Sequence, residues 1–261
     1  MKPTLFSTTL ITLVLLLLSG TTTLAQEADS EEFNPPFNGT IFINPDIITP
    51  DDPSSFVDLT YKGQELRRMY DRRENSRVEY NAFLFEATFD DGLTIEMQVN
   101  PEFETAEEAE RQARFFAHPI GQLPTALRAD VETSWIHKGN NPFGGGSNNL
   151  LIHTGMADRY IEQGILEETL VHEAAHTSID GYHARSEDWV AAQVADNNYI
   201  STYGRDHRYR EDIAESILPW LAIRHFPDRI PDELRQTIEE TIPNRIDYFD
   251  AQDFDLYPLV E

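Results

Sequence analysis

Short segments with strand-like patterning fill the first half of the chain. Residues 93–99 alternate apolar with polar side chains, which is typical of a strand with one buried face. Strands are predicted at residues 56–61, 80–89, 93–99, 131–137 and 150–153. Residues 90–92, Asp-Asp-Gly, predict a hairpin turn. Residues 139–149 include three consecutive glycines and are predicted to form a flexible loop.

Helical periodicity takes over further along. Thr105 and Glu108 form a capping box, which predicts a helix that ends near Phe116, and a short helix can follow at 123–128. After Met156 the apolar residues recur at helical spacing. The predicted helices there are 156–177, 188–195, 210–225 and 231–242. Strands first and helices afterwards predict an α+β fold with an antiparallel or mixed sheet.

The two ends of the chain differ from this central region. Lys2, an apolar run over 5–18 and the small residues up to Ala25 predict a secretory signal peptide, cleaved near Ala25; an uncleaved anchor is the alternative. We therefore expect a secreted or periplasmic protein without stable membrane insertion after cleavage. The predicted organisation is a signal peptide at 1–25, an extended, acidic, proline-rich lead-in at 26–55, a catalytic domain at 56–244 and a surface tail at 245–261.

Charge and cysteine content narrow the function. The chain has 46 acidic and 20 basic residues, and its formal net charge of -26 repels nucleic-acid phosphates and anionic lipids. Nucleic acid is therefore excluded as a partner. The absence of cysteine excludes disulfides, thiol nucleophiles and thiolate zinc sites. Any bound metal must have nitrogen and oxygen ligands.

An HExxH motif lies inside the predicted helix 156–177. His172 and His176 are four residues apart, so both imidazoles lie on one helix face and can bind one ion. Glu173 lies beside them and is placed to act as a base rather than as a ligand. The simpler interpretation is a pair of surface histidines on an ordinary helix. His137 and His153 are interpreted as structural residues of their strands.

A catalytic zinc ion normally has three protein ligands, so a third ligand must follow the motif. His183 fits the metzincin spacing badly, because Ile179 and Tyr182 replace the glycine and histidine of that pattern. Asp180 is close enough to be an aspartate ligand. Each of these residues remains an alternative to a ligand from further along the chain.

A pair of glutamates near a predicted helix start offers that further ligand. Glu211 and Glu215 are four residues apart, so one can bind the metal while the other supports a histidine ring. The alternative is a solvated acidic face, because negative charge is favourable at a helix N-terminus.

These motifs together resemble the lethal-factor-like gluzincin metallopeptidases. The resemblance covers about the second half of the chain and depends on residues 172–176, the Tyr-Gly-Arg loop at 203–205 and the acidic helix start at 211–215. It implies a zincin-like fold with the metal site on the HExxH helix. The implied roles are Zn²⁺ ligands for His172, His176 and Glu211, general base for Glu173, support of a ligand for Glu215, and oxyanion donor for Tyr203. Arg205 and His207 are alternative oxyanion donors, or simply an exposed loop pair.

The expected function is that of a secreted zinc metallopeptidase that hydrolyses peptide bonds with a water molecule activated by zinc. The predicted strand before the HExxH helix suggests a peptide or protein substrate, because an edge strand can pair with an extended backbone. One alternative is a proteolytically silent secreted metal-binding or interaction module on a zincin scaffold. The other is a secreted domain in which the motif is coincidental.

Overall fold

A computed structural model describes residues 34–41 and 43–260. The predicted signal peptide and the first part of the lead-in lie outside the described residues. The described residues cluster as one unit. Within the described part of the chain, no helix is long and apolar enough to cross a membrane.

A six-stranded mixed sheet forms one layer of the fold. Its order is β1-β2-β3-β4-β6-β5, with antiparallel pairing from β1 to β3, parallel pairing of β3 with β4 and of β4 with β6, and antiparallel pairing of β5 with β6. The strands are β1 (Phe56–Asp71), β2 (Ser76–Phe89), β3 (Thr94–Val99), β4 (Thr133–His137), β5 (Gly144–Gly146) and β6 (Asn149–His153). The predicted α+β class with a mixed sheet is confirmed.

The described residues also form ten α-helices, most of them after the sheet. They are α1 (Ala106–Gln122), α2 (Thr125–Arg128), α3 (Thr154–Gln163), α4 (Leu166–Ser178), α5 (Asp180–His183), α6 (Glu187–Asp196), α7 (Thr202–Asp206), α8 (Asp212–His225), α9 (Asp232–Thr241) and α10 (Pro243–Asp250). Helix α4 lies at the centre, where it packs against α1, α2, α8 and β5. Its residues Leu170, Val171, Ala174 and Ala175 are fully buried, which fixes the helix rotation.

Two differences from the prediction concern strand length and helix continuity. Strand β1 continues ten residues beyond Tyr61, because its exposed polar residues pair with β2 through the backbone and need no apolar alternation. The helix predicted at 156–177 is two helices. Gly164 ends α3 in the left-handed conformation, with φ +67°, and a Cβ there would lie 2.8 Å from Asp46 Oδ1.

The three glycines predicted to be part of a loop form strand β5. A Cβ built on Gly145 would lie 1.8 Å from the carbonyl oxygen of Glu173, so only glycine allows the strand to lie directly on α4. Thr177 ties the two elements together, since its hydroxyl oxygen accepts a 2.8 Å hydrogen bond from the Gly146 N–H. Strand β5, rather than the predicted strand before α4, therefore forms this edge of the sheet.

The described part of the lead-in and residues 245–250 pack more closely than predicted. The described lead-in, residues 34–41 and 43–55, has no helix or strand but contributes Ile47 and Ile48 to the core. At the other end, residues 245–250 belong to α10 and not to a surface tail. Arg245 is completely buried, where it pairs with Asp196 and Asp212.

Candidate metal centre

The two histidines of the HExxH motif face each other across one turn of α4. The opposite face of this helix is held in the core by its apolar residues, so His172 and His176 both point toward α8. Their Nε2 atoms are 3.1 Å apart, and the rings are nearly perpendicular. The predicted shared face is present.

Glu211 meets these rings from the next long helix. It is the N-cap residue of α8 and is 2% exposed. Its Oε2 lies 3.1 Å from His176 Nε2 and 3.5 Å from His172 Nε2. The three candidate ligand atoms all lie within 4.8 Å of one another. Two imidazole nitrogens and one carboxylate oxygen are a donor set that suits zinc and leaves a fourth position open.

A carboxylate lies behind each imidazole. Asp180 Oδ2 is 2.7 Å from His176 Nδ1, and Glu215 Oε1 is 3.6 Å from His172 Nδ1. A carboxylate at Nδ1 favours the tautomer with its proton there, which leaves the Nε2 lone pair facing the centre. Two such lone pairs and a carboxylate oxygen at about 3 Å favour a cation between them, which a metal ion supplies and which a proton on His176 supplies in its absence. The residues present therefore fit a metal ion.

The electrostatics of the site favour a positive charge at the same place. Burial lowers the pKa of His176, but hydrogen bonds with Asp180 and Glu211 outweigh burial and raise this pKa to about 10. Burial opposes ionisation of Glu211, yet both histidines and Arg210 hold its pKa well below the ordinary range. The pKa of Glu215 is raised, chiefly by burial.

Residues of α7 and the following turn hold the Glu211 carboxylate in position. Tyr203 donates a 3.0 Å hydrogen bond to Glu211 Oε1, and Arg210 Nε donates a 2.6 Å bond to the same oxygen. Oε2 is thereby directed at the histidines. Burial and the Glu211 charge raise the pKa of Tyr203, so this hydroxyl remains a donor at neutral pH.

Glu215 is also fixed by residues from two directions. Its Oε2 accepts a 2.7 Å hydrogen bond from Ser201 Oγ and a 2.9 Å bond from the Ile41 N–H of the lead-in. Ser201 is the N-cap of α7 and accepts from the Gly204 N–H, so the same side chain sets the start of the helix that bears Tyr203. Glu215 Oε1 is buried and has no hydrogen-bond partner, which leaves it directed at His172.

The centre opens into a cleft of about 630 Å³. Glu173 lines the cleft together with both histidines, Tyr203 and Glu211. The other wall comes from β5 and its neighbours, and includes Arg72, Phe143 and Tyr160. A substrate in the cleft would contact the catalytic candidates on one side and the exposed edge of the sheet on the other.

Other residues considered from the sequence lie elsewhere or have other contacts. The His183 ring bonds the Tyr248 hydroxyl at 2.6 Å and is not part of the centre. Asp180 contacts the Nδ1 atom of His176, the nitrogen that faces away from Glu211. Arg205 and His207 line a neighbouring recess rather than the cleft. His137 and His153 are completely buried in the sheet, as expected of structural residues.

Sequence reasoning missed the β5 wall of the cleft. Arg72 reaches it from the end of β1, where its Nη2 donates a 2.7 Å hydrogen bond to the Phe143 carbonyl. No local pattern links Arg72 to the HExxH motif, since 100 residues separate it from His172. Comparisons of the chain with protein-family models, curated proteins and solved structures found no match. The functional conclusion therefore depends on the site itself.

Proposed function

We propose that this protein is a secreted or periplasmic zinc metallopeptidase of the gluzincin type that cleaves peptide or protein substrates. The observation that carries the proposal is the convergence of His172, His176 and Glu211 beside Glu173 in an open cleft. The proposal extends to a zincin-like fold, which the sequence resemblance to the lethal-factor-like gluzincins suggests. A central helix with the histidines, together with a glutamate at the N-terminus of α8, supports that assignment.

Three side chains would hold the metal. His172 and His176 would bind through Nε2 and Glu211 through Oε2, while Asp180 and Glu215 keep the rings oriented from behind. Zinc, when bound there, supplies a Lewis acid that polarises a carbonyl and lowers the pKa of a water molecule toward neutrality.

The remaining chemistry belongs to residues of the cleft. Glu173 accepts a proton from the attacking water molecule while the water oxygen forms a bond to the carbonyl carbon. It then returns this proton to the amide nitrogen as the carbon–nitrogen bond breaks. Tyr203 can turn its hydroxyl from Glu211 Oε1 to the carbonyl oxygen and stabilise the negative charge that develops. Among the described strands β5 pairs with β6 alone; its Gly146 N–H donates to Thr177, and the rest of its other edge can pair with an extended peptide backbone.

The first experiment measures bound metal per chain by elemental analysis. We expect near-stoichiometric zinc in the wild-type protein and in Glu173→Gln, and loss of zinc in Glu211→Ala. Asp180→Ala should still bind zinc, but with an affinity about 10- to 100-fold weaker, because it removes only the support of His176. His183→Ala is the matched control, since it removes a nearby imidazole that bonds Tyr248 instead.

The second experiment measures peptide-bond cleavage with a peptide library and mass spectrometry. The zinc-loaded wild type should cleave, and Glu173→Gln should lose at least about 10²-fold in kcat while keeping its zinc. Bound zinc without cleavage would instead indicate a silent metal-binding module. Absence of zinc from the wild type would make the HExxH motif coincidental and refute the proposal.

A further inference from the structure

A second recess adjoins the catalytic cleft. We call it the arginine recess and define it by Arg185, Tyr199 and residues 205–210. Its volume is about 560 Å³, and Arg210 lines both this recess and the cleft. The arginine recess and the cleft therefore meet at a single shared side chain.

The arginine recess is rich in basic residues, although the chain as a whole is strongly acidic. The recess contains four of the 20 basic residues of a chain with 46 acidic ones. Two of the four are neutralised by neighbours, because Arg205 Nε lies 2.8 Å from Asp206 and Arg210 lies 2.6 Å from Glu211. Arg185 and Arg208 supply the positive charge that attracts an anion.

These two arginines are arranged around one aromatic ring. The guanidinium carbon of Arg208 lies 4.6 Å from the centre of the Tyr209 ring, and that of Arg185 lies 5.5 Å from it. Arg208 also hydrogen-bonds the side chain of Tyr199, but both arginines are exposed, and a guanidinium group that contacts a ring in this way keeps N–H groups that can bind a carboxylate. Tyr209 is 44% exposed, so the pair is accessible from solvent.

The cleft itself carries mainly negative charge near the candidate ligands. Its lining includes Glu173, Asp180 and Glu211, whereas Arg72 lines it next to β5. A peptide with neutral residues near the scissile bond and acidic residues that reach the arginine recess would match this distribution of charges. A basic peptide would place like charges next to each other.

We propose that the arginine recess binds acidic side chains of the substrate, and that the preferred substrates are peptides or proteins with a cluster of Asp or Glu a few residues from the scissile bond. Arg185 and Arg208 are the specificity-determining residues. This inference rests on the proposed peptidase function for its catalytic part, but binding to the recess does not require turnover.

The test measures binding of fluorescent peptides to the zinc-loaded Glu173→Gln protein by anisotropy. One peptide has a run of glutamates next to a neutral segment, and its partners have lysine or glutamine in the same positions. We expect the acidic peptide to bind best, and Arg185→Gln with Arg208→Gln to weaken it roughly tenfold at low salt. Arg68→Gln with Arg159→Gln is the matched control, because it removes two exposed charges outside both cavities.

Cleavage by the otherwise unaltered enzyme gives the second measurement. The acidic peptide should have the highest kcat/KM, and the Arg185 and Arg208 replacements should reduce this preference mainly through KM. Equal affinity for all three peptides would overturn the inference even if the protein is a peptidase. An equal loss of affinity for the acidic peptide in the Arg185/Arg208 double variant and in the control double variant would overturn it as well. Selective binding of the acidic peptide without cleavage would support the recess and refute the peptidase function.

Discussion

Glu168 shows how a single buried carboxyl group links α4, which carries the two candidate histidine ligands, to the lead-in. It is completely buried on α4, and its Oε1 accepts hydrogen bonds of 2.7 Å and 3.0 Å from the N–H groups of Ile47 and Ile48. Its Oε2 is buried without a partner. Burial raises the pKa of Glu168 to about 7, although the two N–H donors act in the opposite direction.

This raised pKa predicts a pH-dependent loss of stability. The folded protein holds the Glu168 proton more tightly than the unfolded chain, so its contribution to the free energy of unfolding falls as the pH rises from about 4.5 to about 7. Glu168→Gln keeps the acceptor oxygen and removes the ionisation. The variant and the wild type should have the same free energy of unfolding near pH 4.5. At pH 8 the free energy of unfolding of the variant should be higher by up to about 3 kcal/mol.

Urea unfolding of the two proteins in EDTA at both pH values measures this difference. Glu162→Gln, on the exposed surface of α3, controls for the loss of one negative charge. An equal gain in Glu162→Gln would assign the effect to net charge rather than to burial of Glu168.

Local sequence spacing predicted the central residues of the candidate site. The positions of its other residues depend on contacts between distant parts of the chain, which spacing does not show. His172, Glu173 and His176 follow from one helical turn, and Glu211 was recovered through the family resemblance. Asp180 was considered only as a ligand, because the sequence does not show which imidazole nitrogen it faces. The contact of Arg72 with Phe143 joins residues 71 positions apart, which no local pattern can indicate.

At the level of elements, strand β5 is the part of the site most sensitive to side-chain size. Gly145→Ala would place a Cβ 1.8 Å from the Glu173 carbonyl oxygen, and neither backbone can yield without moving β5 off α4. We expect a loss of about 3 kcal/mol in unfolding free energy, or a detached β5 with greatly reduced peptide cleavage.

Thermal unfolding and a peptide-cleavage assay measure both outcomes. Gly181→Ala, in α5, is the matched control because a Cβ there meets nothing within 4 Å. Wild-type stability and activity in Gly145→Ala would show that β5 does not lie against α4 as described.

Elements with a clear periodicity were predicted well, and elements fixed by tertiary contacts were not. The alternation of residues 93–99 gave β3 nearly to the residue. The triple glycine of β5 has no side chains to show a pattern, so only its backbone pairing with β6 identifies it as a strand. Helices α3 and α4 share one apolar stripe, which hid the break at Gly164.

The molecule as a whole carries a large excess of negative charge. A net charge of -26 makes the folded state repel itself more than the expanded unfolded chain does, and salt screens this repulsion. We expect the Tm of the metal-free protein to rise by several degrees between about 0.05 M and 1 M NaCl. Differential scanning calorimetry measures this change in Tm, and KCl at the same concentrations should raise the Tm by the same amount. A falling or constant Tm would show that stabilising ion pairs outweigh the repulsion.

The fold class was predictable at this scale, but the path of the chain was not. The order of strands before helices indicated α+β, whereas the position of β5 outside β6 and the packing of the lead-in depend on distant partners. The Ile41 N–H and the Glu215 carboxylate are 174 residues apart in sequence. Such pairs are specified by the completed fold rather than by neighbouring residues.

That distant pair also sets an order of events during synthesis and folding. The lead-in emerges early, yet the carboxylate that binds Ile41 belongs to a helix made much later. Contacts between remote segments form slowly, because a long loop must close first. The Glu215 side chain can therefore reach its final position behind His172 only after nearly all of the protein has been synthesised. On the proposed function, a newly made chain would complete its metal centre, and gain the ability to cut its neighbours, only when its own folding is almost finished.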